Sequence, residues 1–202
     1  HFDEDGDMCC FNSRVAKAYL DTMLETLCAA HDIGVPIINM HLSQGVYFTL
    51  PDGKAYLYEL YCELFFARLY EVIKCLGDSA ECGTTICIEN TGNFNVPFLQ
   101  EALEKFLMNK LFGLTFDVGH DHSSANIDMP FILSHQNRLR HFHIHDALGR
   151  KNHLPLGAGE MDIPWYIDLA EKNHCRAVLE VKTAQALRDS SKWLKSRGML
   201  HS

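Results

Sequence analysis

Acidic and histidine residues recur along this chain, each at the end of a short apolar segment. They are His41, Glu89, Asp117, His143 or His145, and Glu180. Carboxylates and imidazoles together form the ligand set of Zn or Mn sites, and carboxylates also transfer protons. The pattern therefore predicts a metal site with acid–base chemistry. The alternative is that each residue is an isolated polar group on a solvated loop.

Three histidines alternate in the segment His-Phe-His-Ile-His-Asp, which covers residues 141–146. In a β-strand, the side chains of His141, His143 and His145 point to the same face. This arrangement predicts one metal ligand, either His143 or His145, with neighbours that orient it. A buried histidine network without a metal is the alternative.

Two further segments place histidines beside these strand ends. Asp117-Val-Gly-His120 carries an imidazole one turn after a carboxylate, so both side chains could reach metals on one face. The loop that contains His153 is rich in glycine, which suits a chain that folds closely over a ligand. Lys182 shares a strand face with Glu180, where it could meet a substrate oxygen or pair with a carboxylate.

Five apolar strands alternate with helices along the chain. The predicted strands cover residues 35–40, 84–88, 113–116, 139–145 and 177–179. The predicted helices cover residues 13–31, 56–76, 96–110, 129–137, 163–173 and 184–197, and residues 42–55 and 147–162 are predicted loops. The alternation predicts an α/β fold with a parallel sheet, whose sites form at the carboxyl ends of the strands. No linker interrupts the pattern, so we expect a single domain over residues 1–202.

The composition excludes several classes of protein. The chain has 202 residues, a net charge of −8 and 47% apolar residues, which excludes collagen-like and disordered chains. The negative charge argues against a binder of duplex nucleic acid. No apolar run approaches the roughly 20 residues that span a bilayer. Eight cysteines without a Cys-x-x-Cys pair, and an acidic start without a signal peptide, predict a reducing, cytoplasmic compartment.

Taken in order, these residues resemble the xylose-isomerase-like TIM-barrel superfamily (AP endonuclease family 2). It holds the sugar phosphate isomerase/epimerases and the endonuclease IV-type apurinic/apyrimidinic (AP) endonucleases. The matching segments are Ile38–His41, Cys87–Asn90, Phe116–His120, His143–Asp146, His153–Asp162 and Val178–Val181. The resemblance implies a (β/α)8 barrel of which this chain covers the C-terminal five or so βα units. A TIM barrel has eight strands, so three strands would then precede residue 1.

The resemblance also implies a ligand set. The metal shared by the family would be held by Glu89, Asp117, His143 and Glu180, and the His-x-x-Asp pattern selects His143 over His145. By the same resemblance, Glu89 and Glu180 are the catalytic pair that transfers protons.

Endonuclease IV-type members bind additional metals, and the resemblance matches several histidines to those ligands. One additional site would use His41 and, by position, His1, and the other would use His120 and His153. Lys151 stands where the second of these sites has a carboxylate ligand, which argues against a third metal.

The resemblance implies a sugar or sugar phosphate isomerase/epimerase that acts by proton transfer through a metal-stabilised enediolate. The divalent ion would be Zn, Mn, Co or Mg, and His120, His145 and Lys182 would contact substrate hydroxyls. An endonuclease IV-like Zn-dependent AP endonuclease is the alternative, and a non-catalytic sugar-binding member is the second alternative. Family enzymes often associate, so a homo-oligomer is an open expectation.

Overall fold

The structure is a computed structural model, and it describes residue 2, residues 6–79 and residues 83–199. His1 lies outside the described residues. The described helices are α1 Ser13–Asp32, α2 Leu57–Leu60, α3 Cys62–Asp78, α4 Pro97–Leu107, α5 Val118–Ser123, α6 Met129–Ser134, α7 Ile163–Lys172 and α8 Ala184–Ser196. The described strands are β1 Ile37–His41, β2 Tyr47–Leu50, β3 Gly53–Tyr56, β4 Thr85–Glu89, β5 Phe112–Asp117, β6 Leu139–Ile144, β7 Asp146–Leu148, β8 Lys151–Leu154 and β9 Arg176–Leu179.

Five of these strands form one sheet in the order β1-β4-β5-β6-β9. Strand β6 pairs in parallel with β5 on one side and with β9 on the other. Helices connect the strands of this sheet, as parallel strands require. The predicted α/β fold with a parallel sheet of five strands, part of a TIM barrel, is confirmed.

The chain divides into two compact units. Unit 1 comprises residues 1–88 and 96–113, and unit 2 comprises residues 89–95 and 114–202. In unit 1, α1 and α3 bury the apolar side chains of Met23, Leu27, Phe65 and Leu69. In unit 2, the rings of Phe116 and Phe142 lie 5.6 Å apart in the core. The single domain remains a prediction.

Both predicted loops contain a short antiparallel hairpin. In unit 1, Tyr47 of β2 lies opposite Tyr56 of β3, and in unit 2, Asp146 of β7 lies opposite Leu154 of β8. All four residues of β2 are exposed. Strands that bury no face lack the alternation of apolar and polar residues that identifies strands in a sequence.

The helices also differ from the predicted ranges. The helix predicted over residues 56–76 is interrupted at Tyr61, whose backbone angles of φ −122° and ψ 48° leave the helical region. Helix α6 ends at Ser134, and a short 3-10 helix, Gln136–Arg138, follows. Helix α5 was not predicted; its first turn is capped by the Asp117 carboxylate, which accepts the His120 backbone N–H at 2.6 Å.

The described cysteines are free thiols. In the described ranges, none of the helices has both the length and the apolar character that a membrane-spanning helix requires.

Candidate metal centre

Three carboxylates and one histidine meet at the carboxyl ends of four strands. Glu89 is the last residue of β4, Asp117 is the last residue of β5, His143 lies near the end of β6, and Glu180 follows β9. All four residues belong to unit 2. Each offers one ligand atom, and these atoms lie within 4.8 Å of one another. We call these four residues the carboxylate–histidine cluster.

The His143 ring lies at the centre of this cluster. Its Nδ1 atom lies 3.0 Å from Glu89 Oε1, 2.9 Å from Glu180 Oε2 and 3.8 Å from Asp117 Oδ2. Glu180 Oε2 is a buried atom. Ligands bound about 2.0–2.2 Å from a common ion lie roughly 3–4 Å from one another. The donor atoms of this cluster therefore fit a divalent ion.

The electrostatics of the cluster also favour a cation. Glu89 and Asp117 are buried, whereas the Glu180 side chain is 40% exposed. Burial lowers the pKa of His143, but the hydrogen bonds and negative charges of Glu180 and Glu89 outweigh it and raise the pKa to about 10. The hydrogen bond from His143 in turn lowers the pKa of Glu180 to about 2, against the effect of burial. The three carboxylates thus favour positive charge at the point where they converge, and the protonated His143 ring supplies it.

Asn90 joins the end of β4 to the end of β5. Its side-chain Oδ1 accepts the Asp117 backbone N–H at 2.8 Å, and its Nδ2 donates to the Asp117 carbonyl at 3.0 Å. Nδ2 also donates to the buried Asp128 carboxylate, which accepts the backbone N–H groups of Gly92 and Phe94. These hydrogen bonds fix the turn that directly follows Glu89.

Three histidines form a second group, which we call the histidine cluster. His120, His145 and His153 offer nitrogen atoms within 4.8 Å of one another. The rings of His145 and His153 stack with centroids 4.1 Å apart and an angle of 21° between their planes. His120 Nδ1 lies 3.6 Å from Asp117 Oδ2 and 3.9 Å from Glu89 Oε1. This atom is buried without a hydrogen-bond partner in the described part of the chain.

Asp146 organises the loop that follows the β7–β8 hairpin. Its carboxylate accepts the backbone N–H groups of Ala147, Gly157, Gly159 and Met161 at 2.9–3.2 Å. Hydrogen bonds to an ionised acceptor are about twice as strong as neutral ones. Asp146 therefore holds two segments near the end of β6 by hydrogen bonds: the start of the hairpin at Ala147, and residues 157–161 after the hairpin.

The remaining predicted site residues lie elsewhere. His41 ends β1 and belongs to unit 1, whereas both clusters belong to unit 2. Lys182 is exposed after β9, and Lys151 is exposed on β8. His141 is buried, with its ring edge-on to His143 at 5.1 Å. The functional roles of all these residues remain predictions.

Two buried residues of this site, Asn90 and Asp128, were not among the predicted site residues. Asn90 follows Glu89 at the strand end, so its position was a usable signal. Asp128 lies in the connection before α6, where the sequence shows no sign that its carboxylate contacts residues 90–94.

Residues 3–197 match a protein family described as a xylose isomerase-like TIM barrel. An uncharacterized protein of Methanocaldococcus jannaschii is 27% identical over 165 residues, which are 78% of this chain and 59% of that protein. The chain thus spans less than two thirds of the curated relative it matches.

Many solved structures share the fold of this chain, and three of them are examples. A D-tagatose 3-epimerase-like protein has a TM-score of 0.72 and 23% identity, covering 96% of this chain and 73% of its own. The 3-keto-D-glucoside 4-epimerase of E. coli has a TM-score of 0.71 and 19% identity, and the match covers 96% of this chain and 76% of that protein. The IolI protein with a bound zinc atom has a TM-score of 0.65 and 13% identity, and the match covers 96% of this chain and 74% of that protein.

Proposed function

We propose that this chain, which belongs to the xylose isomerase-like TIM-barrel family, is part of a metal-dependent isomerase or epimerase that acts on a sugar or sugar phosphate. Among its structural neighbours, one is a 3-keto-D-glucoside 4-epimerase, one is a D-tagatose 3-epimerase-like protein, and one holds a zinc atom. These likenesses support a small-molecule sugar as the substrate. The acidic net charge of −8 supports it over the endonuclease alternative, because a DNA backbone attracts basic proteins.

The observation that carries the proposal is the carboxylate–histidine cluster. Glu89, Asp117, His143 and Glu180 would hold a divalent ion, because their donor atoms lie within 4.8 Å of one another. When bound, the ion polarises a substrate carbonyl and lowers the cost of the negative charge that develops as the neighbouring C–H bond loses its proton. Zn, Mn, Co and Mg remain the candidate ions.

Glu89 and Glu180 are the proposed proton-transfer pair. Glu89 ends β4 and Glu180 follows β9. These two strands are separated in the sheet by β5 and β6, so the two carboxylates reach His143 from different strands. One carboxylate oxygen takes the proton from the substrate carbon, and the other carboxylic acid returns a proton. Inversion at that carbon requires proton donors and acceptors on opposite faces, which two separate strands can supply. The buried Nδ1 of His120 is the proposed partner of a substrate hydroxyl.

The test follows exchange of the substrate proton. The full-length protein is incubated with Mn²⁺ and a panel of ketoses and ketose phosphates in D2O, and NMR follows deuterium incorporation beside the carbonyl. We expect incorporation with the wild type, and a loss of about 10²-fold or more in Glu180→Gln, the range that a positioned acid or base contributes.

Glu171→Gln is the matched control, because Glu171 is an exposed carboxylate of α7 outside the cluster. It should retain wild-type exchange. Full exchange in Glu180→Gln, or a wild-type protein that binds no divalent ion, would contradict the proposed function.

A further inference from the structure

We propose that His145 is a positioning residue that holds Asp117 and Glu180, two carboxylates of the carboxylate–histidine cluster, in place. We call the hydrogen-bonded series Asp117–His145–His153–Glu180 the brace. We also propose that the histidine cluster is not a second metal site. The ligand roles of Asp117 and Glu180 rest on the proposed function, whereas the hydrogen bonds of the brace do not depend on it.

The hydrogen bonds of His145 determine which nitrogen carries the proton. The His153 backbone N–H donates to His145 Nδ1 at 2.8 Å, so this nitrogen has a lone pair and no hydrogen. The proton is then on Nε2, which donates to the Asp117 carboxylate, 3.0 Å from Oδ1 and 3.2 Å from Oδ2. Both ring nitrogens are engaged within the protein. A metal could bind His145 only if one of these buried hydrogen bonds were broken.

The bond to Asp117 fixes the orientation of that carboxylate. His145 Nε2 lies 3.0 Å from Asp117 Oδ1 and 3.2 Å from Asp117 Oδ2, so both oxygens share its N–H. Oδ1 also accepts the His120 backbone N–H, whereas Oδ2 is the oxygen that lies 3.8 Å from His143 Nδ1, within the carboxylate–histidine cluster. The two N–H groups thus hold the carboxylate in the orientation in which Oδ2 faces the proposed ion.

His153 extends the brace from His145 to Glu180. Its Nδ1 donates to the backbone carbonyl of Glu180 at 3.0 Å, while its own backbone N–H is held by His145. His153 adopts a left-handed conformation with φ 55°, which is costly for a residue other than glycine. The stacked ring and the two hydrogen bonds offset this cost. The brace therefore links Asp117 at the end of β5 with Glu180 after β9.

The His145 ring has no room to rotate out of the brace. It is fully buried, and it lies directly against the backbone of Gly119 in α5. A Cβ atom at Gly119 would lie inside van der Waals contact of three His145 ring atoms. The absence of that side chain is what allows the ring to reach Asp117.

The first experiment tests the brace without any metal. Long-range ¹H–¹⁵N NMR of histidine rings in the ion-free protein should show His145 protonated at Nε2 and His153 protonated at Nδ1. Titration with Zn²⁺ should shift His143 and leave both tautomers in place. The opposite tautomer of His145, or coordination shifts of His145 nitrogens with Zn²⁺, would overturn the proposal.

The second experiment tests the hydrogen bond from His145 Nε2 to the Asp117 carboxylate. Elemental analysis of the Mn²⁺-loaded protein should find one ion per chain. His145→Ala should weaken Mn²⁺ binding about 10- to 100-fold, the usual effect of removing a group that orients a ligand. His145→Gln, whose amide can replace the Nε2 donor to Asp117, should recover most of the affinity, whereas His145→Asn should not.

His135→Asn is the matched control, because the His135 ring also stacks on a neighbour and contacts a backbone carbonyl, both at Phe131. It should bind Mn²⁺ as the wild type does. Unchanged affinity in His145→Ala, or two ions per chain that fall to one in that variant, would overturn the brace. A protein that binds no ion at all but shows the expected tautomers would refute the proposed function and leave the brace supported.

Discussion

Gly119→Ala tests whether the His145 ring lies against helix α5. Gly119 is the second residue of α5, and in a helix alanine is favoured over glycine by at most about 1 kcal/mol. The new methyl group would, however, occupy the position of the His145 imidazole. The ring is held on both sides, by His153 at 2.8 Å and by Asp117 at 3.0 Å, so it can move only by breaking a buried hydrogen bond.

The expected loss of stability follows from these contacts. Overpacking a close-packed site costs about 1–3 kcal/mol, and a buried polar group left without its partner costs about 1–3 kcal/mol. After the gain in helix propensity, we expect the free energy of unfolding to fall by about 3 kcal/mol. In a chain of 202 residues, this corresponds to a decrease in Tm of roughly 6–12 °C.

The assay compares thermal unfolding of Gly119→Ala with that of Gly77→Ala. Gly77 also lies in a helix, α3, but its Cβ would meet only the end of the flexible Asn109 side chain, at 2.8 Å. Gly77→Ala should therefore stay within about 1 kcal/mol of the wild type. If both variants have the wild-type Tm, and Mn²⁺ binding is unchanged in Gly119→Ala, the contact between α5 and the His145 ring is refuted.

Three further variants test the residues around the clusters. Asp146→Asn should lower the free energy of unfolding by about 3 kcal/mol, because hydrogen bonds to a charged acceptor contribute about 1.5–3 kcal/mol each; hydrogen exchange of residues 157–161 should then accelerate. Burial raises the pKa of Asp121 to about 6, so the folded state binds its proton more tightly and stability should decrease as pH rises from about 4 to 6. Asp121→Asn should lack this decrease in urea unfolding measured across the same range. Asn90→Ala should weaken Mn²⁺ binding in titration calorimetry by about 10-fold or more, because it frees the turn after Glu89; equal affinity would contradict that role.

The strands could be predicted from the sequence because their signal is local. β4 and β5 are short apolar runs, and Glu89 and Asp117 directly follow their apolar residues. In a parallel sheet such neighbours converge at one edge, which predicted a metal site there, and the family resemblance then selected Glu89, Asp117, His143 and Glu180 as its ligands. Its ligand role still needs the experiments above.

The hydrogen bonds that organise the site could not be predicted in this way. The carboxylate of Asp128 reaches back to Gly92 and Phe94 across more than 30 residues, and no periodicity records such a contact. The alternation of His141, His143 and His145 likewise predicted a shared face. It did not show that His145 would donate to Asp117, one of the carboxylates around His143, while its other ring nitrogen accepts a backbone N–H of the hairpin.

The left-handed backbone of His153 has a consequence for directed evolution. Glycine or asparagine adopts φ 55° at lower cost, so a library randomised at position 153 and selected for thermal stability alone should enrich those residues. The same library selected for the proposed isomerase or epimerase turnover should retain histidine, because the imidazole stacks on His145 and donates to the Glu180 carbonyl. A difference between the residues enriched in the two pools would show that position 153 is under opposing demands from stability and from the proposed turnover.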